Sequence, residues 1–455
     1  MAVSARRRIW GWWFFDWASQ PYSTLLLTFI FAPYFAEVAR DHYAASGAAP
    51  EAARAAAQTT WATGQSIAGA VIALSAPVLG AVADGTGRRI AWIWLFSALY
   101  VTGAAGLWFL APDAPGLVQA MTFFGIGLVG MELATIFTNA MMPDLSDDAG
   151  MGRLSGYGFA FGYLGGIAAL IVMLCLFAEN AATGRTLIGI EPVLGLDPAA
   201  REGTRAVGPF VAAWYALFMV PFFLWVRDAP GGGPARGIAR SLAALWALVL
   251  SLGRRRSLAA FLGASMLYRD AMNGLYAFGG IYASGVLGWS VTRIGAFGIA
   301  GALSAAVFTW IGGRLDSRLG PKPVIVASMV VLIAVCLVIF GMSREAIWGI
   351  PFAAGSAAPD IIFYICGCMI GAAGGTLQAA SRTMMVFHAE TGRATEAFGL
   401  YALSGKATAF VAPFLIAVVT GLSGNQRIGI AIPLIALFLG GMVLLRWVDP
   451  KGGRA

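Results

Sequence analysis

Val207 to Val226 and Pro323 to Met342 are unbroken apolar runs without a single charged side chain. A run of about 20 such residues is long enough to cross bilayer hydrocarbon as a helix. Similar runs recur along the chain, some interrupted by one or two ionisable groups. They fit twelve spans. The first half gives roughly 10–37, 59–83, 90–111, 117–142, 154–178 and 207–227. The second half gives roughly 257–287, 292–313, 323–342, 360–386, 397–421 and 428–447. No alternating barrel pattern is present, so helices alone can satisfy the backbone amides in lipid. Composition agrees: 59% of residues are hydrophobic and 11% charged, against about a quarter charged in soluble domains. The expected fold is all-α and integral to the membrane, with a six-helix bundle over 1–227, a linker over 228–256 and a second six-helix bundle over 257–455.

The net charge of +8 is a topology signal rather than a nucleic-acid signal. The termini and the even-numbered connections carry about 20 of the 30 Lys and Arg residues, including Arg88, Arg89, Arg254 to Arg256, Arg314, Arg318 and Lys322. Positive loops stay on the cytoplasmic side, so both termini are expected there, in a multi-pass protein of the inner (plasma) membrane. In the linker, Leu242, Leu245, Trp246, Val249 and Leu252 recur at helical spacing between arginines, which suggests an interfacial helix; a disordered tether is the alternative. The loop over 179–206 reads as a solvated external cap. Cys175, Cys336, Cys366 and Cys368 lie in apolar runs and read as packing residues. The first run holds Asp16 and is too long for a cleavable signal.

One short motif occurs twice. Gly80-Ala-Val-Ala-Asp84-Gly-Thr-Gly87-Arg88-Arg89 follows the second run, and Gly312-Gly-Arg-Leu-Asp316-Ser-Arg-Leu-Gly320-Pro-Lys322 follows the eighth. Duplication at matching places marks an internal repeat. Each Asp can receive the N-terminal amides and dipole of another helix. Asp84 is expected against the start of helix 11, around Glu396 to Gly399, and Asp316 against helix 5, near Arg153 to Gly156, as gating contacts.

Twelve spans in two halves and this paired motif resemble the major facilitator superfamily. Narrower stretches resemble the autophagy-related vacuole-effluxer family within it: Phe15-Asp16-Trp17-Ala18-Ser19-Gln20-Pro21-Tyr22, Gly156 to Gly166, Gly374 to Arg382, and Phe398 to Thr408. The resemblance implies two halves rocking around a mid-membrane site, a monomer, and helices 1, 4, 7 and 10 lining the cavity. Amino-acid export is associated with its fungal members.

Ionisable groups inside spans are expensive, and they face a cavity or a partner. Asp16, Glu132, Arg269, Asp270 and Lys406 qualify. Helical rise places Lys406 and Glu132 roughly 14 Å from a helix end and Arg269-Asp270 roughly 18 Å, near the midplane. Asp16-x-x-Ser19-x-x-Tyr22 parallels Asp270-x-x-Asn273-x-x-Tyr276, as if each carboxylate shared a face with small polar partners. Gln20 adjoins the first stripe. Glu132, Thr135 and Asn139 form a stripe on helix 4, and Gln378, Ser381 and Arg382 another on helix 10. Carboxylates for an ammonium and cations for a carboxylate suit a zwitterion. The alternative is internal neutralisation, Asp16 or Glu132 pairing with Lys406. Trp10, Trp12, Trp13 and Trp17 read as interfacial anchors, or Trp17 and Tyr22 as stacking platforms for a cation.

The expected function is transport of a small polar or zwitterionic solute by alternating access, with Asp16, Glu132 and Asp270 as candidates for proton coupling. The partners are the solute, the bilayer and, with coupling, protons. Amphiphile transport and a non-transporting membrane scaffold are the rivals. No cofactor is expected, and His42 and His388 with no metal-ligand cluster or nucleophile motif argue against an enzyme.

Overall fold

The computed structural model describes residues 3–452 apart from 114, 290, 354 and most of 229–251. Of the interfacial helix expected there, Leu242 and Leu245 fall outside the described residues, while Trp246 and Val249 are helical and exposed. Among the described residues, twelve long helical segments follow in chain order. The first half gives α1 (Ala5–Ala45), α2 (Pro50–Thr86), α3 (Arg89–Phe109), α4 (Leu117–Asn139), α5 (Asp148–Leu176) and α6 (Glu202–Trp225). The second half gives α7 (Arg256–Gly285), α8 (Val291–Leu319), α9 (Pro321–Gly341), α10 (Ala358–His388), α11 (Ala394–Ser423) and α12 (Gln426–Leu445). All except α7 are apolar and long enough to cross a membrane by composition alone. α7 carries Arg269, Asp270 and Asn273, yet its 30 residues reach about 45 Å at 1.5 Å per residue.

Three of these helices are interrupted, and each interruption has a proline nearby. In α1, Pro21 has no amide to give the Trp17 carbonyl four residues back. The Trp214 indole Nε1 donates to that carbonyl instead, at 3.4 Å. Beyond Pro21 the helix widens to π geometry over Tyr22–Phe29 and breaks at Ile30. In α6 a step at Met219 precedes Pro221. In α11 the segments Ala394–Ala407 and Val411–Ser423 are separated by turn residues just before Pro413.

Contacts group the chain into two compact units. One comprises 1–75, 87–138 and 161–230; the other comprises 76–86, 139–160 and 231–455. The second unit thus takes in the end of α2 and the α4–α5 junction from the first half of the sequence. Within the first unit, the 179–206 loop is largely exposed, as expected for a solvated cap, and its two ends are tied together. Glu179 accepts from Arg201 Nε at 2.9 Å, from the Thr204 amide at 3.0 Å and from Thr204 Oγ1 at 2.6 Å. Arg201 also reaches Glu37 at 3.0 Å. Trp12 is fully buried, donating its indole N–H to the Thr138 carbonyl at 2.8 Å, so it packs rather than anchors at an interface. In the second unit, a two-stranded hairpin, β1 (Ala346–Ile347) and β2 (Ile350–Pro351), precedes α10. Asp360 there accepts from Trp289 at 2.6 Å and pairs with Arg293 and Arg344.

Candidate functional site

The end of α2 lies against the start of α11. Asp84 accepts from Thr395 Oγ1 at 2.6 Å and from the Glu396 amide at 2.8 Å. A carboxylate here satisfies amides that the first helical turn leaves open and meets the positive end of the helix dipole. Glycine lets the two helices approach. A Cβ on Gly80 would lie 2.6 Å from the Thr395 carbonyl oxygen, and one on Gly399 would lie 2.6 Å from that of Ala76. Gly87, at φ +66°, turns the chain, and Arg88 then leads into Arg89 at the start of α3.

The second motif copy packs on α5 by a related but unequal arrangement. A Cβ on Gly156 would lie 2.5 Å from Gly313 Cα, and one on Gly152 would lie 2.7 Å from the Asp316 carboxyl carbon. Ser317 Oγ, rather than Asp316, accepts the Arg153 amide, at 2.9 Å. Asp316 is buried, and its Oδ1 has no hydrogen-bond partner among the described residues. Gly320, at φ +82°, separates α8 from α9. Lys322 donates to the Val448 carbonyl at 2.8 Å, tying down the stretch beyond α12.

Arg382 joins this cluster instead of lying open on α10. It is 3% exposed and donates to Ser155 Oγ at 2.9 Å, to the Ser155 carbonyl at 2.7 Å and to Asn139 Oδ1 at 3.1 Å. Its guanidinium lies 4.2 Å from the Phe159 ring centroid. Asn139 and Arg382 therefore bind each other. The α10 stripe is also closed at Ser381, which hydrogen-bonds Tyr268 at 2.8 Å. Gln378 is half-buried and donates to the Gly374 carbonyl at 3.4 Å.

On α7, consecutive residues serve different neighbours. Arg269 donates to the Tyr401 carbonyl at 2.9 Å, with its guanidinium 4.4 Å from the Tyr401 ring centroid. Asn273 and Tyr276 are exposed on the Arg269 side of the helix. Asp270 is 1% exposed and points away from that side; its Oδ2 accepts the Ala412 amide at 2.7 Å. Asp270 is thus not part of one stripe with Asn273 and Tyr276. Gly274 meets a packing requirement: a Cβ there would meet Leu434 Cδ2 at 2.7 Å. Lys406 is half-buried in the last turn before the α11 break.

In the first unit, Asp16 and Gln20 are half-buried on α1. Ser19 and Tyr22 do not share their side. Ser19 is buried, and Tyr22 is fully enclosed, its hydroxyl donating to the Phe124 carbonyl at 2.7 Å. The parallel between Asp16-Ser19-Tyr22 and Asp270-Asn273-Tyr276 is therefore not realised in side-chain direction, and Tyr22 is closed to a ligand. Trp17 packs among Phe161, Trp214 and Phe218. Glu132 and Thr135 are half-buried along one stripe of α4.

Sequence reasoning missed Thr395 and Ser155, which accompany Asp84 and Arg382, and the α11 break. A hydroxyl residue at the first turn of a helix is a capping signal that could have singled out Thr395.

The description "Vacuole effluxer Atg22 like" matches residues 146–455. The chain is 25% identical over 451 residues to the uncharacterized MFS-type transporter YxiO of Bacillus subtilis, covering 97% of this chain and 94% of that one. It is 25% identical over 314 residues to autophagy-related protein 22 of Cryptococcus neoformans, covering 66% of this chain and 51% of that one. The chain thus spans about half the length of that fungal relative. Among solved structures, the human organic anion transporter MFSD10 superposes with a TM-score of 0.68 at 16% identity, covering 97% of this chain and 99% of that one. The E. coli fucose:proton symporter FucP gives 0.62 at 15% identity, covering 98% and 99%. With its all-α fold, its paired motif and these matches, the chain belongs to the Atg22-like vacuole effluxer family, multi-pass membrane transporters of the major facilitator type and not enzymes.

Proposed function

We propose that this transporter moves a small zwitterionic solute, with an amino acid favoured, by alternating access. The observation that carries the reading is the open polar side of α7. Asn273 and Tyr276 are exposed there, one and two turns beyond Arg269, while Asp270, Ala271, Met272, Gly274 and Leu275 between them are buried. Polar groups at that depth belong in water or against a polar ligand, not against acyl chains. Arg269 supplies a cation for a carboxylate, and the exposed Asn273 and Tyr276 supply hydrogen-bonding groups on the same side of α7. Contacts such as Asp84 with Thr395 would break and reform during the cycle. Export is favoured by the family's description as an effluxer. The lysine and arginine distribution supports cytoplasmic termini.

A ligand screen by thermal unfolding in detergent tests the solute class, because a bound solute stabilises the folded state. Zwitterionic amino acids should raise the unfolding midpoint in proportion to concentration, and Arg269→Gln should abolish the rise. Stabilisation by amphiphiles alone would reject the reading.

Amphiphile transport has its own supporting observation. A groove of about 800 Å³ runs along α8, α9 and α10, lined by Phe308, Leu315, Leu319, Val331 and Ile365 among others. The Arg269 charge on α7 has no use for an apolar solute, so the zwitterion remains the first reading.

A further inference from the structure

We infer that Asp270 is a proton-binding site that controls the break in α11. This rests on the chain being an alternating-access transporter, and on no particular solute.

The break divides α11 into Ala394–Ala407 and Val411–Ser423. Asp270 and Arg269, adjacent on α7, hold the two pieces separately. Arg269 binds the Tyr401 carbonyl of the first piece at 2.9 Å. A Cβ on Gly405 would strike that guanidinium 2.4 Å from Cζ, so the first piece lies directly on Arg269. Asp270 binds the Ala412 amide in the first turn of the second piece, at 2.7 Å. The other end of the first piece is the one Asp84 caps through Thr395 and Glu396. Its 14 residues form a rod of about 21 Å joining the Asp84 contact to the break.

Asp270 is built to change charge. Its Oδ1 is buried and has no hydrogen-bond partner among the described residues. Ionised, the carboxylate leaves that oxygen uncompensated in a medium that penalises charge. What favours the ionised form is the Ala412 amide and the positive end of the second piece of α11. The titratable groups on the neighbouring helices are placed as follows. On α7 itself, Tyr268 binds Ser381 and Arg269 binds Tyr401. From α11, Tyr401 and Lys406 lie on the first piece, across the break from Ala412. From α10, Arg382 is turned to Ser155 and Asn139. α12 has no titratable side chain between Ile428 and Leu445. On α8, Arg293 lies near one end and Arg314, Asp316 and Arg318 near the other.

Taking a proton from hydronium on Oδ1 forms one O–H bond, breaks one in hydronium to leave water, and removes the carboxylate charge. The charge-assisted bond to Ala412 becomes a weaker neutral one, and the attraction to the helix dipole is lost. The second piece of α11 is then free to swing at 408–410, and the first piece carries the change to Asp84.

Spin labels at Thr86→Cys and Thr391→Cys, both exposed beside the Asp84 contact, test this in proteoliposomes after the half-buried native thiols Cys175 and Cys368 are replaced by alanine. Distances are compared at about pH 8 and about pH 5, the range over which native stability is usually broadest. The unsubstituted protein should show one short distance at the higher pH and gain a longer population at the lower. Asp270→Asn should show the low-pH distribution at both, and Asp270→Glu should keep the response. A normal response in Asp270→Asn, or its loss in Asp16→Asn or Glu132→Gln instead, overturns the proposal. If Asp270→Asn does not fold, infrared difference titration decides. A protonated carboxyl band that appears on acidification should change frequency in Asp270→Glu, and an unchanged band rejects the site. No solute is needed, so a wrong solute class leaves these outcomes intact.

Discussion

The Asp84 carboxylate sits at the first turn of α11, 2.6 Å from Thr395 Oγ1 and 2.8 Å from the Glu396 amide. Losing a helix cap of this kind costs about 1 kcal/mol, roughly a fivefold change in an equilibrium. Asp84→Ala should therefore speed modification of Ala397→Cys, a buried position one turn into α11, by about fivefold with a membrane-impermeant maleimide. Asparagine also caps well, so Asp84→Asn should change the rate less. Equal rates in the unsubstituted and alanine proteins would show that the contact does not hold this region closed.

The α2–α11 crossing depends on Gly399. An added Cβ would meet the Ala76 carbonyl oxygen at 2.6 Å and Pro77 Cα at 2.7 Å, and backbone cannot move aside as a flexible side chain can. Gly399→Ala should cost about 1–3 kcal/mol, the usual cost of overpacking. Thermal unfolding in detergent measures it, with Gly69→Ala as the control because that position has open space around it.

Glu179 has a fully buried side chain, and Arg201 is its only ion-pair partner among the described residues. Arg201→Ala removes that partner and leaves the carboxylate to Thr204 alone, at an expected cost of about 3 kcal/mol. Restoring most of the lost stability by adding Glu179→Gln would identify the stranded charge as the cause. If the double variant unfolds no later than the single one, lost packing of Arg201 is responsible instead.

How far the sequence could be read depends on helical angles. Uncharged runs such as Pro323 to Met342 located spans directly, and Asp84 lies at the α11 start that its motif implied. Facing within a helix was harder. A step of three residues turns about 60° short of a full circle, so two such steps carry Tyr22 about 120° away from Asp16. The i, i+3, i+7 stripe of Glu132, Thr135 and Asn139 drifts little and stays together. On α7 the same geometry joins Arg269, Asn273 and Tyr276 and puts Asp270 about 100° aside. The α11 break was hidden because Thr408, Ala409 and Phe410 are no breakers by composition. It is legible only from Pro413 and from a carboxylate on another helix.

Glu390 lies outside the spans, between α10 and α11. Burial raises its carboxyl, but hydrogen bonds and charge from Arg255 and Arg393 outweigh that and hold it below its ordinary value of 4.5. A group depressed on folding contributes stability above the unfolded value, and loses it as pH falls through the folded one. Glu390→Gln should therefore flatten the pH dependence of the unfolding midpoint only below 4.5. A changed slope near neutrality would assign that dependence to another effect of the substitution.

Zwitterion transport is tested most directly by counterflow: proteoliposomes loaded with an unlabelled amino acid, and entry of the labelled form measured over time. The predicted result is saturable entry above protein-free vesicles, falling at least about tenfold in Arg269→Gln, as expected for losing a charged hydrogen bond. No exchange of any zwitterionic amino acid, or full exchange in Arg269→Gln, would contradict it.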